Sequence, residues 1–229
     1  MREILGSRIS AEQHLPRITI SIVNRLRCHK AWQQPSLFFD EQKKRLHISP
    51  SPLPYGRLGL CPEGNLDRYI LPQIRRVVFH DLVPMDTYLD DITGFRSRMI
   101  WRRVIMEAAK KVPSWRMKNL LYRRLGVDIP DWKTTIIVPN VFVDYIWPEL
   151  IEGIGANTFV GEEAMLLTHF IYPDRAEIGH ISIGANCLIG VRSLIAPGVS
   201  IGDNATVGAY AVVTRDVPSG ATILGPKSG

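Results

Sequence analysis

From Ile183 to Pro218 the chain opens every sixth residue on an aliphatic side chain: Ile183, Ile189, Ile195, Ile201, Val207 and Val213. A small residue follows each, usually Gly, and the fifth places hold Cys187, Ser193, Val199, Ala205, Ala211 and Val217. An α-helix would scatter this period around its surface, and a plain strand repeats every second residue, so neither accounts for it. A chain that turns a corner every six residues does. The aliphatic residue then always points to the axis and the small fifth residue fits beside it. Asn186, Gly198 and Asn204 fall where a left-handed turn conformation costs least. The unit is one side of a parallel β-helix coil.

The same period runs through Ile154-Gly155-Ala156-Asn157-Thr158-Phe159, Val160-Gly161-Glu162-Glu163-Ala164-Met165 and Leu166-Leu167-Thr168-His169. It breaks between His169 and Ile178. A solenoid stacks similar rungs, so an excursion with a His, a Pro and several charges has to leave the stack, and chemistry is expected there. Upstream, Ile137 to Phe142 and Val143-Asp144-Tyr145 keep the period. The run Ile151 to Gly155 is out of step by one residue, as though Gly153 were inserted, which predicts a bulge.

These units, the Leu167-Thr168-His169 exit and the closing run Val207 to Gly220 resemble the hexapeptide-repeat acyltransferases, close to sugar O-acetyltransferases of the maltose and galactoside type. The likeness covers roughly residues 126–228. It implies a left-handed parallel β-helix, a hand that comes from the resemblance alone, since the general rule for parallel crossovers favours the right. It also implies a homotrimer, acetyl-coenzyme A (acetyl-CoA) as acyl donor, and transfer of the acetyl group to a hydroxyl of a sugar or glycan acceptor.

The residues of such a site map onto this chain by motif. His169 stands where the family's catalytic His leaves the stack after a Thr. A hydroxyl attacking a thioester must lose its proton, and a neutral imidazole is suited to take it. Asp144, with Tyr145, matches an Asp-Tyr pair in the family's early coils, where the Asp faces the acceptor. The cofactor contacts fall on Val191 and Ala209 through backbone groups, then on Thr214, Arg215 and Lys227. The family commonly has Lys where Arg215 stands, and Gly225-Pro226-Lys227 is a shortened form of its ending. Should His169 not be the base, His180 or Glu162 is next in line.

Two other functions fit the fold. Zinc enzymes of the gamma carbonic anhydrase kind carry a Gly-His pair like Gly179-His180 and a second His five residues on, where this chain has Ala185; too few His ligands remain for a catalytic zinc site, and no metal is expected. A catalytically silent trimeric scaffold would keep the hexapeptides and lose the loop His. The presence of His169 speaks against it.

Composition narrows the remainder. The 229 residues are 45% hydrophobic and 22% charged, which suits a soluble globular chain with one sizeable core. No apolar run approaches the ~18 residues of a membrane-spanning helix, and the start lacks a secretory leader pattern, so a cytoplasmic protein is expected. Cys28, Cys61 and Cys187 are too few and too scattered for a disulfide framework or a zinc ribbon. Cys187, at an interior repeat place, reads as a packed side chain.

Residues 1–92 show no sustained core-forming period beyond Ile18 to Val23, and His47 to Gly64 reads as an extended Pro-, Gly- and Ser-rich linker. A poorly ordered N-terminal extension is expected, whose removal through residue 84 would leave folding nearly unchanged. Residues 93–126 differ sharply. Ile100, Val104, Ala108 and Val112 recur every fourth residue beside Trp101, Ile105 and Ala109, an amphipathic helix that Pro113 ends. Ser114 can cap a second helix and Gly126 can stop it. Between Arg96 and Arg124 lie ten basic residues and one acid, Glu107. Such a pair either rests on an anionic membrane or packs on the first coil with a solvated basic face. No nucleic-acid recognition motif accompanies the charge. The β-helix domain occupies 127–229.

Overall fold

The computed structural model describes residues 14–33, 36–40, 42–50, 73–83, 87–89, 92 and 97–226. Lys227 and most of the expected linker, residues 51–64, lie outside the described residues. The chain forms two compact units, one of residues 1–95 with 170–178, the other of 96–169 with 179–229.

The larger unit begins with two helices, α2 (Ser97–Lys111) and α3 (Trp115–Leu125), numbered after α1 of the other unit (His14–Leu26). Their ends follow the predicted chemistry. Ser114 is extended and its hydroxyl accepts from the Met117 N–H, while Gly126 ends α3 in the left-handed region at φ 111°. Asn119 donates to the carbonyls of Trp132 and Thr135, and the Tyr122 hydroxyl donates to Val141 O, tying α3 to the first coil.

The coils are built of short strands. The first face holds β4 (Ile136–Ile137), β7 (Phe159–Val160), β12 (Leu188–Ile189), β15 (Thr206–Val207) and β17 (Thr222–Ile223). The second holds β5 (Phe142–Val143), β8 (Met165–Leu166), β13 (Leu194–Ile195) and β16 (Val212–Val213), and the third β6 (Ile151–Ile154), β11 (Ile181–Ile183) and β14 (Ser200–Ile201). The register is parallel, setting Ile183 beside Ile201, Ile189 beside Val207 and Ile195 beside Val213. Each coil is therefore three hexapeptides. The leading aliphatic residues and the small fifth residues, Cys187 included, are all buried. Full burial of one Val or Ile contributes roughly 1.5–3 kcal/mol, repeated at every corner. The second place must be small because coils stack closely: a Cβ on Gly190 would lie 2.5 Å from Ala209 N.

The fourth place is left-handed in eight of the units, at Asn140, Asn157, Glu163, Asn186, Arg192, Gly198, Asn204 and Tyr210. Gly and Asn were the legible members; Glu163, Arg192 and Tyr210 adopt the same conformation against their preference because the stack dictates it. The predicted bulge is also present. Ile151 pairs with Ile181 and Ile154 with Ile183, so four residues of β6 face three of β11, and Gly153 supplies φ 148°.

In the smaller unit the expectation of a poorly ordered extension fails for the described residues. Leu15, Ile22, Val23 and Leu26 of α1 are buried, as are Trp32, Phe79 and Leu82. Strand β1 (Ser36–Asp40) pairs antiparallel with β2 (Arg45–Ser49), which pairs in parallel with β3 (Arg76–Phe79). The start of the predicted linker, His47 to Ser49, is thus strand. The sheet continues from β3 into β10 (Ala176–Gly179) and β9 (His169–Ile171), so the excursion completes a sheet of the smaller unit. Arg76 and Glu177 form a mostly buried ion pair at 3.0 Å, and Leu82 N–H donates to Asp174 O. Deleting the chain through residue 84 would strip these partners from β10, contrary to the sequence-based expectation.

Candidate active site

Parallel pairing of β5 with β8 sets Phe142 beside Met165 and Val143 beside Leu166, and the ladder runs one step further as Asp144 N–H donates to Leu166 O. That register delivers Asp144 to the point where the chain leaves the stack. Asp144 is 1% exposed, and its carboxylate accepts at both oxygens. One takes the Ile146 N–H at 2.9 Å, a local Asx turn. The other takes the Thr168 N–H at 3.0 Å, the Thr168 hydroxyl at 2.6 Å and His169 Nδ1 at 2.5 Å.

Burial alone would push the Asp144 carboxyl up. The hydrogen bond and charge of His169, with the bonds from Thr168 and the Ile146 N–H, more than offset it and hold the group below the usual carboxylate range. An ionised carboxylate only accepts, so Nδ1 of His169 carries a hydrogen, and in the neutral form of the ring the lone pair is on Nε2. Among the described residues Nε2 has no hydrogen-bond partner. The imidazole meets the ring of Trp147 edge-on, at 5.3 Å between centroids and 85° between planes. The side chain is 19% exposed, reachable without being loose.

The resemblance gives Asp144 a place facing the acceptor; in the structure the carboxylate touches the imidazole of His169. Its carboxylate is enclosed and committed to four donors, and what it orients is the imidazole. Thr168 and Trp147 complete the arrangement and were missed as functional candidates. A Thr directly before the exit His was the available signal for the first; Trp147 has no local one.

His180, the competing histidine, is engaged at Nδ1 by Glu152 Oε2 at 2.9 Å. Among the described residues no three His, Cys, Asp or Glu side chains gather at one point. Glu162 is an exposed corner residue whose carboxylate accepts from Asn140 Nδ2 at 3.1 Å.

The four described cofactor candidates are exposed. Val191 and Ala209 occupy equivalent places in successive coils, stacked by the β12–β15 pairing. Val191 O accepts from Tyr210 N–H at 2.9 Å, whereas the N–H groups of Val191 and Ala209 have no hydrogen-bond partner among the described residues and stay available to a ligand. Nearby, Arg192 donates to Glu163 at 2.5 Å and to the Tyr210 hydroxyl at 3.0 Å. Val191 and Ala209 precede β13 and β16, at one edge of the second face. His169 follows β8 at the opposite edge, and Thr214 and Arg215 follow β16 on that same edge two coils later. One chain does not gather these candidates at one point.

Residues 180–215 match a family model described as the hexapeptide repeat of succinyl-transferase. YvoF of Bacillus subtilis (strain 168), provisionally named an acetyltransferase, is 36% identical over 122 residues, which are 53% of this chain and 70% of that protein. SAS0727 of Staphylococcus aureus (strain MSSA476), named in the same provisional way, is 36% identical over 129 residues, 56% of this chain and 79% of that one. Among solved structures, a hexapeptide-repeat-containing acetyltransferase from Vibrio cholerae, VCA0836, aligns over 56% of this chain and 86% of its own at 20% identity and a TM-score of 0.43. Stacked hexapeptides, with a relative of this identity covered over more than two thirds of its length, place the chain in the hexapeptide-repeat, left-handed β-helix acetyltransferase family.

Proposed function

We propose that the protein transfers an acetyl group from acetyl-CoA to a hydroxyl of a sugar or glycan acceptor, with His169 as general base. The observation that supports this reading is the buried Asp144 carboxylate on His169 Nδ1, an arrangement that puts the lone pair of the neutral ring on Nε2. In the reaction the acceptor O–H gives its proton to Nε2 as the oxygen attacks the thioester carbonyl carbon. The tetrahedral intermediate collapses, the C–S bond breaks, and the departing sulfur takes the proton back from the imidazolium. Asp144 stays ionised throughout and stabilises the charge that forms on the ring.

Acetyl-CoA would be held by the open N–H groups of Val191 and Ala209 and by Thr214, Arg215 and Lys227, a cation and hydroxyl set suited to a phosphorylated carrier. Because the described members of this set and His169 lie apart on one chain, the reading includes a homotrimer in which neighbouring protomers complete each site. It also keeps the enzyme cytoplasmic. Release of free thiol from acetyl-CoA over a panel of sugar and glycan acceptors tests the activity. His169→Ala should lower turnover by roughly 10²–10⁴ while coenzyme A affinity stays nearly the same. An Ala variant with near-normal turnover would end the role given to His169, and no thiol release with any acceptor would favour a silent scaffold.

A further inference from the structure

The basic helices are not used by this reaction, and the way the structure disposes them is informative. The stripe Ile100, Val104 and Ala108, which the periodicity marks as apolar, does not face the coils. Among the described residues, Met106 and Ala109 are the buried residues of α2. Arg102 is turned inward as well, donating to Ile146 O at 2.7 Å and to Glu149 at 3.0 Å. Left outside are Ile100, Val104 and Trp101 on α2, the last 68% exposed, with Met117 and Leu120 on α3. Five large apolar side chains on two adjacent helices form a concentration that a soluble surface rarely carries without a use.

The same helices expose Arg103 and Lys111 on α2 and Arg116, Arg123 and Arg124 on α3, with Arg103 over the ring of Tyr145 at 5.8 Å. The single acid of these helices, Glu107, is bonded by Lys110 at 3.1 Å. We propose that this exposed face of α2 and α3 docks on an anionic membrane surface. The apolar side chains, Trp101 foremost, enter the boundary between headgroups and acyl chains, and the cations meet lipid phosphates. The helices have 15 and 11 residues, about 22 and 16 Å at ~1.5 Å per residue, so they lie on a bilayer of ~30 Å rather than cross it. Charge chooses the occupant. A second copy meeting this face with its own would bring cation against cation, and a nucleic acid would leave the five apolar side chains in water.

The test is co-sedimentation of the full chain with vesicles of phosphatidylcholine alone and with one quarter phosphatidylglycerol. Binding is expected to the anionic vesicles only and to weaken as salt rises. Substituting Lys111, Arg116, Arg123 and Arg124 together by Gln should lower the partition coefficient at least ~100-fold, taking roughly fivefold per cation near an anionic leaflet. Brominated acyl chains should quench the fluorescence of the wild-type protein, and Trp101→Phe should abolish most of that quenching. Trp101→Ser and Met117→Ser should weaken vesicle binding and leave the mass by light scattering unchanged. No anionic-vesicle binding overturns the proposal. So does a fall in mass for the Ser variants with vesicle binding absent, which would assign the face to a second copy.

Discussion

Asp144→Asn separates a carboxylate that holds the base from one that merely fills space. The side chain is isosteric, but Asp144 accepts from four donors: Ile146 N–H, Thr168 N–H, the Thr168 hydroxyl and His169 Nδ1. An amide offers one oxygen and one NH₂. With the oxygen toward Ile146, the NH₂ meets the Thr168 N–H and turns the ring nitrogen into an acceptor; His169 is then driven to carry its hydrogen on Nε2, where no base remains. With the oxygen toward Thr168 and His169, the NH₂ opposes the Ile146 N–H. Each orientation leaves a buried donor unpaired, at about 1–3 kcal/mol of stability. The first orientation also inverts the tautomer, and loss of the correct tautomer together with the stabilising charge should cost turnover roughly 10³-fold. Turnover and coenzyme A affinity should be measured on folded variant at several pH values, with ¹⁵N chemical shifts of His169 reporting which nitrogen is protonated. A folded Asn variant with near-normal turnover, or with Nδ1 of His169 still protonated and turnover still lost, would refute the reasoning.

Lys118 is fully buried and its Nζ has no hydrogen-bond partner among the described residues, and desolvation lowers its pKa against the partial support of Glu162. Lys118→Met should therefore raise stability by about 1–3 kcal/mol in denaturant titrations, and it should remove a rise in wild-type stability as pH climbs toward 10.5, the range where the unfolded chain binds the extra proton; a destabilised Met variant would contradict this. His47 Nδ1 lies 2.8 Å from His80 Nε2, and burial, then the neighbouring His80, lowers His47 from 6.5 to about 4. The folded state binds fewer protons than the unfolded one between those values, so stability should be at its plateau above pH 6.5 and fall by up to about 3 kcal/mol as pH drops to about 4. His47→Leu should remove most of that slope in thermal melts, and an unchanged slope would assign it elsewhere.

The β-helix was legible because its constraints are local and repeated. One buried aliphatic residue, one residue small enough to pass beneath the next coil, and one corner residue recur at fixed offsets, so even the bulge at Gly153 announced itself as a slipped phase. The helix caps at Ser114 and Gly126 are local in the same sense. The smaller unit has no such redundancy. Its parallel pair β2–β3 joins Arg45 to Arg76 and Ile48 to Phe79, across a long intervening segment, and its last strands come from the excursion after His169. A strand of four or five residues whose partners are that remote leaves no period to read, and the burial of Leu15, Ile22 and Leu26 shows only in the folded unit.

The candidate site divides along the same line. His169 stood out because it interrupts a pattern, and an interruption can be seen in one dimension. What holds its ring cannot, since the Asp144 carboxylate reaches Nδ1 through a register one coil deep, from residues 24 and 25 positions away in sequence. The Asp-Tyr pair drew attention to this carboxylate without naming its partners: motif matching carries over which residue is present, whereas burial and the donors around it decide what that residue touches. Asp144, at 1% exposure, has three of its four donors on one oxygen, the one that meets the imidazole. The helices teach the converse. Their apolar spacing was real, but a helix has more than one side, and Met106 with Ala109 took the core while Ile100, Trp101 and Val104 were left facing out. Periodicity identifies a face; only packing says whether the fold or a partner buries it.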